Sequence, residues 1–165
     1  MGLDISAYSK MKLMENPSLD DEGYFDEYEG TQIWTNDDFP GREAPFIDRG
    51  VYTYDDYVGF RAGSYGGYNY WRQSLASLFG YTKPDGTVNW DNLPEEGPFI
   101  ELINFSDCEG TLGTVVCKKL LHDFEMYDNL ASQTKFDEDG YWYSKYVEWN
   151  EAFHLASDDG AVCFH

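Results

Sequence analysis

The segment Gly97–Phe124 reads GPFIELINFSDCEGTLGTVVCKKLLHDF and decides the predicted fold, because its hydrophobic pattern changes halfway along. Phe99–Phe105 is a short, mixed apolar run, which predicts a β-strand buried on at least one face. The polar residues Ser106–Glu109 predict a turn, and a helix is then expected to begin with Thr111 or Thr114 as its N-cap. The segment therefore predicts a strand, a turn and an amphipathic helix, in that order.

Three helices are predicted from apolar residues that recur every three or four positions. In the first, Ser64 is placed to cap the N-terminus and Gly80 to end the helix at its C′ position. The second follows the central turn, and the third follows an acidic turn at 136–140. The three apolar stripes are Tyr68, Trp71, Leu75 and Leu78; Val116, Leu120, Phe124, Tyr127 and Ala131; and Trp142, Tyr146, Trp149, Phe153 and Ala156.

Strands are predicted near both ends of the chain. Residues 2–9 alternate apolar and polar side chains, which is typical of a strand with one inward face, and residues 161–165 form a short apolar run. Short strands are also expected at 32–34 and 51–57. The 165 residues are therefore expected to form a single α+β domain, 1–165, with about three amphipathic helices packed on a small, mostly antiparallel sheet.

Net charge is the strongest feature of the composition, since 31 acidic and 11 basic residues give a formal charge of −20. Such a charge disfavours direct binding to nucleic acid or to an anionic membrane, because phosphates are bound by clustered Lys and Arg. It favours a basic protein surface, including one that normally holds nucleic acid, because opposite potentials steer association. The alternative explanation is that the charge serves solubility alone.

The acidic residues concentrate in a loop-rich segment at about 15–50. Residues 15–30 alone carry seven Asp and Glu and no Lys or Arg, interrupted by Pro17 and Gly23. Clustered like charge predicts an exposed loop, either a solvated surface or an interaction surface. The candidate partner-binding residues are Asp20, Asp21, Glu22, Asp26, Glu27 and Glu29.

A glycine-rich turn at 63–67 precedes the first predicted helix, and backbone N–H groups at a helix start can hold an anion. Two of the few cations, Arg61 and Arg72, are near this turn in sequence. The glycines match neither a P-loop nor a dinucleotide-binding fingerprint, so a capped helix whose arginines pair with carboxylates is the alternative. The candidate ligand-binding residues are Arg61, Ser64, Tyr65, Tyr68 and Arg72 on one wall, and Asp107, Cys108 and Glu109 on another.

Enzymatic chemistry has weaker support, and no catalytic residue is assigned. Asp107 and Glu109 flank Cys108 and oppose formation of its thiolate, although the two carboxylates themselves could bind a divalent cation or act as acid and base. No metal or cofactor site is predicted. Residues 135–146 match a calcium loop only in part, and His154, Cys163 and His165 lack a zinc-site spacing.

The three cysteines, Cys108, Cys117 and Cys163, are odd in number and widely spaced, which suits a reducing compartment. The N-terminus lacks the features of a signal peptide, and no apolar run approaches the length that spans a membrane. A cytoplasmic location is therefore expected.

Four segments carry a resemblance to other proteins: MGLDISAYSK at 1–10, GFRAGSY at 59–65, ELINFSDCEG at 101–110 and GAVCFH at 160–165. Together they resemble a family of uncharacterised proteins found in phage and prophage-bearing bacterial genomes. The resemblance extends over nearly the whole chain and implies a phage setting, a bacterial host cytoplasm and a single domain. It implies no catalytic residues.

Two functional predictions follow. The first is a small, non-enzymatic phage accessory protein that binds a host protein with a basic surface, as an anti-defence protein or a nucleic-acid mimic. The second is a small-molecule or anion-binding module between the 63–67 and 106–110 turns. A carboxylate- or cysteine-dependent enzyme is the third alternative.

Overall fold

The computed structural model describes residues 1–26 and 28–165, and within them the chain forms seven strands and five α-helices. The strands are β1 (Gly2–Tyr8), β2 (Lys12–Leu13), β3 (Thr31–Gln32), β4 (Val51–Thr53), β5 (Tyr57–Ser64), β6 (Gly110–Leu112) and β7 (Ala161–Phe164). The helices are α1 (Tyr65–Ser77), α2 (Ile100–Ile103), α3 (Thr114–Met126), α4 (Asp128–Gln133) and α5 (Tyr141–Ala156), and a single 3₁₀ turn spans Trp90–Asn92.

The main sheet has the order β5-β1-β7-β6, and each neighbouring pair is antiparallel. Ile5 in β1 lies between Phe60 of β5 and Phe164 of β7. The β1–β7 pairing extends one residue further, because the amides of Asp4 and His165 donate to each other's carbonyls at 3.1 and 2.9 Å. The predicted α+β class and the pairing of the first and last strands are confirmed.

The long helices α1, α3 and α5 cover one face of this sheet and enclose the main core. Leu3, Ile5 and Phe164 of the sheet meet the aromatic stripes of α1 and α5 there. The two helices are joined by a reciprocal contact, in which the indole N–H groups of Trp71 and Trp142 each donate to the other's backbone carbonyl at 3.1 Å. The apolar stripe of the third predicted helix is therefore confirmed as its core face.

A second, three-stranded antiparallel sheet with the order β2-β4-β3 lies on the other side. Ile33, Phe46 and Tyr52 pack there against Tyr8 and Cys163 of the main sheet. For this reason Tyr8, predicted on the outward face of its strand, is buried. The small sheet therefore covers the other face of β1, and the alternation of residues 2–9 does not reveal that this face is buried.

The predicted strand Phe99–Phe105 is wrong, because residues Ile100–Ile103 form the short helix α2. Phe99 adopts a left-handed backbone (φ 59°), and its amide donates to the Asp123 carboxylate at 2.8 Å. The five apolar side chains of this run are buried, and its seven residues are too short for the two polar positions, Glu101 and Asn104, to separate a helix from a strand.

Neither threonine caps α3. Thr111 lies in β6, and its hydroxyl donates to the Trp34 carbonyl at 2.8 Å. Thr114 is the first helical residue, and its hydroxyl donates to the Gly160 carbonyl at 2.7 Å. Gly113 occupies the N-cap position instead.

The first predicted helix begins directly after its predicted cap, because α1 starts at Tyr65. The predicted glycine-rich turn at 63–67 is instead the end of β5 and the first turn of α1. The capping prediction is confirmed at both ends: the Ser64 hydroxyl accepts from the Gly67 amide at 3.0 Å, and Gly80 (φ 73°) lets the Tyr81 amide reach the Ala76 carbonyl at 3.1 Å.

In the part of the chain that the structure describes, no helix has the length and apolarity needed to cross a membrane.

Candidate functional site

A surface cavity of about 450 Å³ lies where α1, the 104–109 turn and residues 36–39 meet. We call it the Arg72 pocket. It combines one cation, several carboxylates, an indole and a thiol. The residues with reactive or charged groups along its wall are Asp38, Arg72, Trp90, Asp107, Cys108 and Glu109.

Arg72 is only 6% exposed, and its guanidinium is fixed by α1 and the neighbouring turn. It donates to the Phe105 carbonyl at 2.6 Å and to the Asn69 side-chain oxygen. Its charge also lies over two aromatic rings, at 5.2 Å from the Tyr68 ring centre and 5.3 Å from that of Trp90. Among residues 1–26 and 28–165, Arg72 forms no salt bridge.

A single amide stands between this guanidinium and the Asp107 carboxylate. The oxygen of Asn69 accepts from Arg72, and its nitrogen donates to Asp107 at 2.8 Å. Asn69 therefore binds both charged groups at once and holds them apart. The arrangement keeps a buried positive charge and a half-buried negative charge on the same wall without a direct ion pair.

The turn that carries Asp107 is shaped by Ser106, whose hydroxyl accepts from the amides of Cys108 at 3.2 Å and Glu109 at 3.1 Å. The Asn36 side chain donates to the Glu109 carbonyl at 3.0 Å and ties the turn to the acidic segment. Cys108 is exposed at the pocket, and its thiol lies 3.5 Å from the Ser106 hydroxyl.

Tyr68 lies behind the pocket wall and is completely buried. Its hydroxyl has no hydrogen-bond partner among the described residues. Burial raises the pKa of Tyr68 to about 12, while the positive charge of Arg72 opposes the rise and Asp107 adds to it.

The predicted ligand-binding residues therefore separate into two groups. Arg72 meets Asp107, Cys108 and Glu109 in the pocket. Arg61, Ser64 and Tyr65 do not line it. Arg61 extends from β5 and pairs with Asp4 at 2.8 Å, with both side chains about half exposed, and Ser64 serves as the helix cap. The 63–67 turn contributes no side chain to this cavity.

Asn36, Asp38, Asn69 and Trp90 were missed by the sequence analysis as members of the site. Half of the Trp90 side chain is exposed. The Ser106-x-Cys108 spacing is a local turn signal that could have indicated the shape of the 106–109 turn. Asn36 and Trp90 carry no comparable signal, because the fold alone brings them to Arg72.

The second candidate surface is the acidic loop, which we define as residues 15–30. Side-chain hydrogen bonds hold residues 20–25 of this loop: the Asp20 carboxylate accepts from the amides of Glu22 at 2.9 Å and Tyr24 at 2.8 Å. The Gln32 side chain donates to the Gly23 carbonyl and accepts from the Phe25 amide, both at 3.1 Å. The loop is thereby attached to β3.

The predicted partner-binding residues in this loop are solvent-exposed where they are described. Asp20, Asp21, Glu22, Asp26 and Glu29 are exposed, and Glu27 lies outside the described residues. None of these five carboxylates forms a salt bridge within the described part of the chain. The expected exposure of the acidic loop is confirmed for these positions.

The remaining cysteines and possible metal ligands lie away from the pocket. Cys117 and Cys163 are buried, which raises both thiol pKa values, that of Cys163 to about 12. Across residues 1–26 and 28–165, no group of three or more His, Cys, Asp or Glu side chains is arranged to hold a metal ion.

Comparisons with models of known protein families, with curated proteins and with solved structures give no match for this chain.

Proposed function

We propose that the protein is a non-enzymatic, phage-type accessory protein that uses its acidic surface to bind a basic surface of a bacterial host protein. The acidic loop is the observation that carries this proposal. The Asp20 carboxylate and the Gln32 side chain hold its backbone at Glu22–Phe25, and its described carboxylates are exposed and form no salt bridge within the described part of the chain. The proposed phage setting rests on the sequence resemblance to phage and prophage proteins. The activity proposed is inhibition of a host enzyme, as an anti-defence protein or a nucleic-acid mimic.

The charge of the surrounding segment supports this proposal. Residues 15–50 contain eleven acidic side chains and only two arginines, so their formal net charge is −9. Arg42 donates to the Glu101 carbonyl at 2.6 Å, and Arg49 stacks over the Trp34 ring at 5.3 Å. Neither arginine forms a salt bridge with a carboxylate in the described part of the chain, so the segment keeps a strong negative potential that attracts a basic partner.

The acidic loop also offers apolar contact area. Tyr24 is 50% exposed, although its ring packs on Trp34 at 5.4 Å, and Tyr28 is fully exposed. Tyrosine is enriched at protein interfaces because it combines a large apolar area with a polar group. A loop whose residues 20–25 are held by hydrogen bonds binds a protein at a lower entropic cost than a disordered acidic tail does.

The test compares two variants with the same change in net charge. In the loop variant, Asp21→Asn, Glu22→Gln, Asp26→Asn and Glu29→Gln remove four exposed carboxylates. In the control variant, Glu95→Gln, Glu96→Gln, Glu138→Gln and Asp139→Asn remove four exposed carboxylates elsewhere that form no salt bridge in the described part of the chain. Each protein is immobilised and exposed to a bacterial lysate at low and at high ionic strength.

We expect both the wild type and the control variant to capture a basic host protein at low ionic strength. High ionic strength and double-stranded DNA should both release it, since screening and competition act on the same charges. Rebinding of the purified partner should be at least about tenfold weaker for the loop variant, an average of a few tenths of a kcal/mol per charge. Equal weakening of both variants, or capture that ignores salt and DNA, would refute the proposal.

A further inference from the structure

We propose that the Arg72 pocket binds a small zwitterion, the chemical class to which free α-amino acids belong. This inference is independent of the proposed partner, because it concerns a cavity on the α1 side of the molecule and not the acidic loop. The inference rests on the guanidinium of Arg72 and the carboxylate of Asp107. Both face the same cavity, and the side-chain amide of Asn69 keeps them from pairing with each other.

The anionic end of the ligand is assigned to Arg72. A guanidinium has five N–H donors, and the contacts to Phe105 and Asn69 engage only its two terminal nitrogens. Arg72 is nine-tenths buried and lines the cavity, yet it has no carboxylate partner among the described residues. A ligand carboxylate would supply the missing countercharge, and guanidinium–carboxylate contacts are among the strongest polar contacts in proteins.

The cationic end is assigned to the carboxylates of Asp38, Asp107 and Glu109. Asp107 uses one oxygen to accept from Asn69, and no salt bridge to any of the three is present among residues 1–26 and 28–165. Three carboxylates against one guanidinium repel a simple anion. An ammonium group on the same ligand offsets that repulsion, because it places positive charge against the carboxylates.

The shape of the cavity agrees with a ligand of this class. Its volume of about 450 Å³ falls within the usual range of small-molecule sites, about 300–1,000 Å³. The rings of Phe39, Trp90 and Phe105 line its apolar side, and Phe39 packs on Phe105 at 5.1 Å between ring centres. These rings would contact the side chain of an amino acid.

Cys108 provides a readout at the site itself. Its thiol is exposed at the pocket, whereas Cys117 and Cys163 are buried, so a neutral alkylating reagent modifies Cys108 selectively in the folded protein. The rate of alkylation is measured with each of the common free amino acids in turn, at constant ionic strength. Acetate and methylammonium, the two half-ligands, are measured in parallel.

We expect at least one free amino acid to slow the alkylation of Cys108 severalfold in a saturable manner, and both half-ligands to have little effect. Glu109→Gln and Asp38→Asn should each weaken that protection about tenfold, because one charged contact is lost. Both side chains are exposed, so these variants should fold, and the Glu109 carbonyl that binds Asn36 is unchanged. Glu95→Gln is the control for net charge.

Three results would overturn the inference. The first is that no free amino acid protects the thiol. The second is that acetate or methylammonium protects it as well as the amino acid does, which would indicate a simple anion or cation site. The third is that Glu109→Gln and Asp38→Asn leave protection unchanged, as Glu95→Gln is expected to do.

Discussion

The guanidinium of Arg72 donates to the backbone carbonyl of Phe105 at 2.6 Å, and this hydrogen bond joins α1 to the turn that forms the pocket. Through Asn69 the same side chain also positions the Asp107 carboxylate. A single buried cation thus organises two segments that are more than thirty residues apart in the sequence.

Replacing Arg72 should therefore cost far more stability than replacing an exposed arginine. Arg72→Met leaves the Phe105 carbonyl and the Asn69 oxygen without their donor, and we expect a loss of about 3 kcal/mol in the free energy of unfolding. Arg61→Met removes only a half-exposed pair with Asp4 and should cost less than about 1 kcal/mol. Equilibrium unfolding in urea measures both values. Equal losses would contradict the assigned role of Arg72.

Tyr68 gives a prediction about stability at high pH. Its hydroxyl is buried without a partner among the described residues, so Tyr68→Phe should be neutral or slightly stabilising at pH 7. The pKa of Tyr68 is raised from 10.0 to about 12 in the folded protein. The folded state therefore holds this proton where the unfolded state releases it, and stability should fall as the pH rises from about 10 to about 12.

The expected contribution of Tyr68 to that fall is about 2–3 kcal/mol. It can be measured by urea unfolding at several alkaline pH values in the wild type and in Tyr68→Phe. The variant should lose less stability over this range. Identical pH profiles would show that the Tyr68 hydroxyl ionises without penalty. Tyr24→Phe, at a half-exposed position, is the matched control.

Gly160 is predicted to be intolerant of any side chain. A Cβ atom there would lie 1.8 Å from the Tyr8 carbonyl oxygen, which is backbone and cannot rotate away. Gly160→Ala should cost about 3 kcal/mol or more, because β1 and the start of β7 would have to separate.

Gly66→Ala is the control for Gly160→Ala, since a Cβ at Gly66 meets no atom within 4 Å and the residue lies in α1. Alanine favours helix over glycine by up to about 1 kcal/mol, so this variant should be as stable as the wild type or slightly more stable. Thermal unfolding followed by circular dichroism distinguishes the two variants. A Gly160→Ala protein with an unchanged melting temperature would show that the strand ends are mobile.

The reciprocal Trp71–Trp142 contact predicts that these two residues are energetically coupled. Their rings stack with centres 5.9 Å apart, and each indole donates to the other's carbonyl. Trp71→Phe and Trp142→Phe should each cost about 2 kcal/mol, and the double variant should cost less than their sum by about 1 kcal/mol. Strict additivity in urea unfolding would refute the coupling. Trp90→Phe, half exposed, should cost less than about 1 kcal/mol.

The helices α1 and α5 were predicted correctly because each has one buried face. The α5 stripe from Trp142 to Ala156 is visible because polar residues separate its members, and the Ser64 cap is visible because it depends on local hydrogen bonds. The run Phe99–Phe105 was assigned wrongly because seven residues with only two polar positions, Glu101 and Asn104, are the usual length of a strand and too short to show a helical period.

The pocket was predicted only in part, for a different physical reason. Arg72 and Asp107 were selected because charged residues next to turns are recognisable in sequence. Their contact depends on Asn69, an ordinary helical residue, and on the position of residues 36–39, which are joined to the turn through Asn36. Long-range packing determines both features, and neither has a local pattern.

The pairing of β1 with β7 has a consequence for biosynthesis. A nascent chain that lacks residues 161–164 presents a bare strand edge at Ser6 and Tyr8, next to the apolar surface that Cys163 normally covers. The last strand must leave the ribosome before that edge is paired, so folding is completed only after translation of this region. A stalled or truncated product would expose a template for strand addition and would be expected to aggregate.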